Sequence, residues 1–303
     1  MLKENGLLYL FRAASLGSMR AASDELDVAP SSISRQIGML ESQLGVSLLE
    51  KSRRQVKLTE AGELVCQHYR DRLTQEESLL SKIDALKSIN AGVVSIVVGE
   101  AFLTKQFRDM LEQFMIEFPR MTINVTVGST QEIVNEVSDD DAHIGICLDT
   151  PQHPKIARRM AINQPIRLIV RKDHAFSNRQ SVKLSEISVL PIALPNETYR
   201  IRNIIQMAQR EDDVFLEPVM KTNSLALITD FILSGRGVSI MPEIVVQAEL
   251  DEGNLVAVPI ENKTLESTKS CLILRSGREL PTGAYELMVR IERFFNQSMR
   301  RKK

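Results

Sequence analysis

The sequence predicts an α/β protein led by a small all-α module, a winged helix-turn-helix. Three observations predict it. Residues 19–37, MRAASDELDVAPSSISRQI, read as two short helices around a tight break at Asp27-Val28-Ala29. Residues 60–90 read as one long helix without proline. From Gly92 onward, apolar runs of strand length alternate with amphipathic helices.

Leu7, Leu8, Leu10, Phe11 and Ala14 mark a first amphipathic helix ending near Gly17, and Ala21, Ala22 and Leu26 pack a second. Pro30 opens the third, where its missing N–H removes no helical hydrogen bond. Ile33, Ile37, Leu40 and Leu44, spaced four, three and four apart, form one apolar face, and Ser32, Arg35, Gln36 and Met39 form the other. Gly45 supplies a left-handed C-cap. Two short helices with a tight turn, the second polar in its first half, form the pattern that lays a recognition helix in the DNA major groove. Val46, Leu48 and Leu49, a basic turn over 51–55, and Val56 and Leu58 flanking Lys57 predict a β-hairpin wing. Thr59 is an N-cap for the next helix, with Glu60 and Glu63 favourable to its dipole.

The helix predicted from Glu60 to about Ile89 carries Leu64, Val65, Tyr69, Leu73, Leu79, Leu80, Ile83, Leu86 and Ile89. A polar helix with a narrow apolar stripe needs a partner surface. Its place between two domains makes that surface a dimer seam, with packing on its own domain the alternative.

Beyond it, Val93–Gly99 is a near-continuous apolar run, as in a strand buried on both faces. A helix from Leu103 to Phe118, a strand over 121–127, a helix over 131–137 and a strand over 143–148 follow, giving β-α-β-α-β and a mainly parallel sheet. A second run places strands at 166–170, 189–194, 217–221 and 238–242, with helices near 199–209 and 224–234. A late strand at 271–275 and a closing helix at 283–300 complete the chain. Two α/β runs predict two lobes with a cleft between them, a natural small-molecule site. The expected domains are 1–59, the helix 60–90, and 91–303. Within the last, lobe I comprises about 91–163 and 266–303, and lobe II about 164–265.

At 303 residues the chain is too long for one small core. Its 43% hydrophobic and 25% charged residues are those of a globular protein. A net charge of −1 argues against a protein that coats nucleic acid, but from Val28 to Thr59 five basic residues against two acidic ones leave a local +3. Cys66, Cys147 and Cys271 lack metal-ligand spacing and read as reduced thiols. No stretch reads as a signal peptide or a membrane span, so the expected location is the cytoplasm, with no membrane partner.

In detail the chain resembles the LysR-type transcriptional regulators over nearly its whole length. AASDELDVAPSSISRQIGMLESQLGVSLLEKSRRQVKLTEAG carries the resemblance most specifically, supported by GST at 128–130 and GRGVSIMP at 235–242. Three positions depart from the family pattern: Leu49 replaces a usual Phe, Gln55 a frequent wing Gly, and Gly38 lies inside the recognition helix. The resemblance implies a two-lobed effector domain like the periplasmic binding proteins, and dimers through antiparallel linker helices. It also implies homotetramers on promoter DNA, with RNA polymerase as a further contact.

For DNA, Pro30, Ser31, Ser32, Ser34, Arg35 and Gln36 are the candidate readers. Arg35 is able to make a bidentate guanine contact and Gln36 an adenine contact, while the hydroxyls suit phosphate. Arg53 and Arg54 at the wing tip are candidates for phosphate or the minor groove. By resemblance, the effector touches Glu100, Ala101, Phe102, Leu103, Ser129, Thr130, Asn196, Thr198 and Tyr199. Cys147, Asn223 and Arg202 are further candidates. Glu100 would repel an anionic ligand unless Arg200 or Arg202 offsets it, which argues against a simple dicarboxylate.

Other function classes are weaker. His68, His143, His153 and His174 lie in no metalloprotease or triad-like setting, and no nucleotide-binding glycine loop occurs, so no catalysis, metal or cofactor is expected. A solute-binding transport protein fits the lobes but not the N-terminal module. A redox-sensing regulator would need Cys147 and Cys271 to pair. The basic end Arg300–Lys303 reads as a solvated tail.

Overall fold

A computed structural model describes residues 3–50, 55–86 and 91–300. The chain divides into two compact units, Met1–Leu80 and Ser81–Lys303.

The first unit contains α1 (Glu4–Ser15), α2 (Met19–Leu26), α3 (Pro30–Leu44) and most of α4 (Glu60–Leu86). Asp27 takes a left-handed conformation (φ 51°) and turns the chain between α2 and α3. The Ser18 hydroxyl accepts from the Ala21 N–H to cap α2, and Gly45 at φ 71° ends α3. Leu7, Leu10, Ala13, Ala22, Ile33, Ile37 and Leu40 form the core, joined by Leu48, Cys66 and Tyr69. Leu44, expected on the buried face, is exposed, because it is the last residue of α3, where the chain turns away toward the wing.

The wing is anchored from below. The Glu41 carboxylate accepts the backbone N–H of Leu48 at 2.7 Å and of Leu49 at 3.3 Å. Leu49 then bridges Leu58 in antiparallel fashion, and the Glu50 N–H donates to the Lys57 carbonyl at 2.9 Å. Arg53 and Arg54 lie outside the described residues, as do residues 87–90 of the predicted long helix and residues 301–303 of the basic end. The Thr59 hydroxyl accepts the Gly62 N–H at 3.1 Å, the predicted cap of α4.

The apolar stripe of α4 divides along its length. Cys66 and Tyr69 pack into the core of the unit, whereas Leu64, Leu73, Leu79, Leu80 and Ile83 are exposed. Its own domain therefore covers part of the N-terminal stretch of the stripe and leaves the later leucines bare.

The second unit has two five-stranded sheets. The first contains β1 (Ala91–Val98), β2 (Arg120–Val127), β3 (Ile144–Leu148) and β4 (Ile156–Asn163), with α5 (Lys105–Glu117) and α6 (Thr130–Ser138) between its early strands. The chain then enters lobe II through β5 (Ile166–Arg171). There follow α7 (Leu184–Ile187), β6 (Ile192–Pro195), α8 (Arg200–Glu211), β7 (Pro218–Thr222), α9 (Leu225–Leu233), β8 (Val238–Pro242), α10 (Gln247–Asp251), β9 (Leu255–Val258) and α11 (Lys263–Glu266). It returns to lobe I as β10 (Lys269–Arg275) and closes with α12 (Thr282–Arg300).

The strand orders are β2-β1-β3-β10-β4 and β7-β6-β8-β5-β9. The βαβ units are parallel, but β10 runs antiparallel to β3 and β4, and β5 antiparallel to β8 and β9. Those two strands arrive from the crossings between lobes, which is why alternation alone did not predict their direction.

Several boundaries differ from expectation. Leu103 precedes α5 rather than opening it, because Glu100–Phe102 forms a 3-10 turn and Thr104 caps the helix through the Phe107 N–H. Val189 is exposed and outside β6, which begins at Ile192 after Pro191. The strands β4 and β9 were not predicted; β4 reads IARRMAIN, its apolar positions broken by two arginines.

β1 is buried on both faces as its composition requires. Val94, Ile96 and Val98 join a core with Phe107, Phe114, Leu287 and Ile291, whereas Val97 joins Ile133, Val134 and Val137. Gly145 lets α6 seat directly on β3: a Cβ there would lie 2.7 Å from Ile273, 2.8 Å from Ile133 and 2.9 Å from Val137. That seating positions Ser129 and Thr130 at the start of α6. We expect Gly145→Ala to overpack this contact and destabilise the second unit by about 1–3 kcal/mol, measured by urea unfolding of the full chain.

Candidate functional site

The exposed surface of α3 is built by its period. Ile33, Ile37 and Leu40 are fixed in the core, so Pro30, Ser31, Ser34 and Arg35 emerge on the solvent side, with Ser32 and Gln36 half-buried at its edges. Six candidate DNA residues thus share the first two turns of one helix. The α3 N-terminus has no side-chain cap among the described residues; Pro30 carries no N–H, and the Ser32 N–H donates to the Ala29 carbonyl at 2.8 Å. At Gly38 a Cβ would meet nothing within 4 Å, so no packing contact among the described residues requires glycine there.

The second unit carries a cavity of about 60 Å³ between its lobes. Glu100, Ala101, Phe102, Ser129, Thr130 and Tyr199 line it, together with Gly99, Gly128, Leu148, Arg200, Ile201, Leu225, Met241, Pro242 and Val245. A neighbouring groove of about 400 Å³ takes Leu103, with Glu100, Ala101, Leu225 and Val245 shared between the two.

Hydrogen bonds cross the cleft. Glu100, in the turn after β1, receives the Leu225 N–H at 3.3 Å. Its carboxylate lies 3.0 Å from the Tyr199 hydroxyl, which also lies 2.7 Å from the Asn223 carbonyl, so one hydroxyl proton serves two acceptors. Burial, then the Glu100 carboxylate, pushes the Tyr199 hydroxyl up to about 12, which keeps it a donor at neutral pH. Arg200 ion-pairs across the cleft with Asp149 at 2.6 Å.

On the lobe I side, Ser129 and Glu132 form a capping box. The Ser129 N–H donates to the Glu132 carboxylate at 2.7 Å and the Glu132 N–H to the Ser129 hydroxyl at 3.4 Å. The Ser129 contacts, backbone first, hold the Glu132 carboxyl below its usual range. The Thr130 hydroxyl donates to the Leu148 carbonyl at 3.3 Å.

Besides Leu103, five expected residues fall away from this cavity. Arg202 lies two residues beyond Arg200, about 200° around α8, and is buried within lobe II. Cys147 alternates with Leu148 on β3: Leu148 faces the cavity, and Cys147 turns into the core beneath α6. Thr198 and Asn223 are exposed, and Asn223 reaches the cleft only through its carbonyl. Asn196 is engaged through its backbone, donating to the Thr222 carbonyl at 3.0 Å and accepting from Tyr199 at 3.1 Å.

Comparison with known proteins matches the bacterial regulatory helix-turn-helix protein of the lysR family over residues 5–63, and the LysR substrate binding domain over residues 87–294. The chain belongs to the LysR-type transcriptional regulators.

Among relatives of this regulator, the HTH-type transcriptional regulator BbuR of Bordetella bronchiseptica is 24% identical over 88% of this chain and 82% of its own. A probable RuBisCO transcriptional regulator of Emiliania huxleyi is 25% identical over 85% and 84%. A full-length OxyR variant from Pseudomonas aeruginosa shares the fold at a TM-score of 0.69 and 19% identity, over 96% of this chain and 95% of that one. CbnR complexed with its target DNA does so at 0.54 and 21%, over 96% and 99%.

Sequence reasoning missed Leu225, Met241 and Val245 in the regulator's cavity wall. GRGVSIMP pointed to the neighbourhood of Met241 but gave no orientation, because β8 is buried throughout. The three thiols are free and buried. Cys147 and Cys271 face each other across β3 and β10, yet both are buried, and the Cys147 Sγ lies 3.0 Å from the Thr150 hydroxyl. Burial pushes Cys147 up to about 12 and Cys66 to about 11, so the thiolate that oxidation needs is scarce. We expect the folded regulator to show no fast reaction with dithiobis(nitrobenzoate) and all three cysteines to react after denaturation, measured by absorbance.

Proposed function

We propose that this regulator reads promoter DNA with the first two turns of α3 and answers to a small molecule held between the lobes of its second unit. The observation that carries the reading is the clustering of Pro30, Ser31, Ser34 and Arg35 on the uncovered side of a helix whose other side is core. Arg35 makes the specific base contact, Gln36 pairs with adenine or the backbone, and the serine hydroxyls meet phosphate. Arg53 and Arg54 hold phosphate or the minor groove. CbnR, bound to its target DNA, and the effector-binding domain of QuiR, in complex with shikimate, support the two halves of this reading in proteins of like fold.

The exposed leucines of α4 pair with those of a second copy, and two such dimers form a tetramer that contacts RNA polymerase. No helix among the described residues is long and apolar enough to cross a membrane. The regulator works in the cytoplasm and carries out no catalytic step. In this reading the effector shifts a population of two quaternary arrangements and so changes promoter bending.

Three outcomes test it. Arg35→Ala should cost about 1–3 kcal/mol and relax site selection, whereas Arg53→Ala should weaken binding nearly uniformly and reduce the salt slope by about one. DNA titrations at two salt concentrations separate the two, and unchanged affinity in both variants would sink the assignment. Gly38→Ala should stabilise the N-terminal unit by about 0.5–1 kcal/mol in thermal unfolding without weakening DNA binding. Leu80→Glu should shift the protein toward monomer in sedimentation.

A further inference from the structure

Among the described residues, the walls of the interlobe cavity contain two charged side chains, Glu100 and Arg200. Arg200 is already committed, its guanidinium paired with Asp149 and its Nε donating to the Asp149 carbonyl at 3.3 Å. Glu100 is committed in a different way. It is a carboxylate delivered from lobe I to the first residue of α9 in lobe II, where the Leu225 N–H meets it, while the Tyr199 hydroxyl approaches its other oxygen. The start of α6 on the facing lobe is likewise served by the chain's own Glu132 through Ser129.

Apart from the hydroxyls of Ser129, Thr130 and Tyr199, the remaining wall is apolar. Ala101 packs against the cores of both lobes, and Phe102, Leu148, Ile201, Leu225 and Met241 close around it. Among the described residues, an entering carboxylate would meet no unpaired cation on these walls. Within about 60 Å³ it would lie close to the Glu100 carboxylate, where like charges repel at short range. A neutral ligand meets no such penalty and gains from each apolar group it covers.

We propose that this cavity takes an uncharged, mainly apolar small molecule, and that Glu100 excludes carboxylates by filling, from within the chain, the seat a ligand carboxylate would use. The assignment rests on the effector reading given above. At about 60 Å³ the closed cavity has room for a few heavy atoms, so a larger ligand enters with the lobes further apart. Glu100 acts here as a specificity residue and as a strap between the lobes.

The test uses the full-length protein and two probes of the same shape, propionate and propionamide. Thermal unfolding and calorimetric titration are read for the unmodified chain and for Glu100→Ala. Propionamide should raise the melting temperature of the unmodified protein and propionate should not. Glu100→Ala should melt lower than the unmodified chain and should bind propionate about tenfold more tightly than it does, with melting restored by propionate.

Equal stabilisation of the unmodified chain by propionate overturns the proposal. So does a Glu100→Ala protein that propionate leaves unchanged, or a failure of propionamide to stabilise the unmodified chain. If Glu100→Ala does not fold, Glu100→Ser is read in the same way, and the unmodified chain still decides the order of the two probes. DNA binding of the same preparations is measured alongside. Lost probe selectivity with intact DNA binding strikes the cavity assignment alone, whereas absent DNA binding with intact selectivity strikes the regulator reading.

Discussion

The second unit depends on a double crossing. Lobe I is not complete until the chain has built lobe II and returned, because β10 inserts between β3 and β4. The crossings are tied to each other, the Gln164 N–H donating to the Thr268 carbonyl at 2.8 Å, and β10 is tied to the end of β3, the Asp149 N–H donating to the Lys269 carbonyl at 2.7 Å. Two connections, between β4 and β5 and between α11 and β10, therefore join the lobes. The cleft lies between two sheets that share these connections, with the turn after β1 and the starts of α6, α8 and α9 all directed at it.

Within that frame, polar groups in the cleft satisfy one another. Glu100 meets the start of α9, Arg200 meets Asp149, and Glu132 meets the start of α6. For the half-buried Glu100 and Arg200, these contacts remove a desolvation cost that would otherwise be left uncompensated. The first two join the lobes across the cleft.

In the first unit, one helix is shared between core and solvent by its period alone. The core side of α3 is packed by α1 and α2, which leaves its serines and Arg35 on a rigid support. Glu41, on the same helix, anchors the wing through Leu48 and Leu49, so the recognition helix and the base of the hairpin are fixed to each other. The stripe of α4 is divided: Cys66 and Tyr69 complete this core, and Leu73, Leu79 and Leu80 beyond are exposed.

The sequence by itself determined the order of elements, the turn at Asp27, the caps at Gly45 and Thr59, and the exposed face of α3. These follow from spacing within a single element, which is local. The resemblance to the regulator family placed Glu100, Ser129, Thr130 and Tyr199 at the cleft. Only the tertiary structure decided which member of each alternating pair faces inward: Leu148 rather than Cys147, and Arg200 rather than Arg202. It alone revealed the antiparallel β5 and β10, since strand direction depends on a crossing between distant segments rather than on composition. The partner of Glu100 was likewise illegible, because Leu225 lies 125 residues away and contributes a backbone N–H, a group every residue but proline carries.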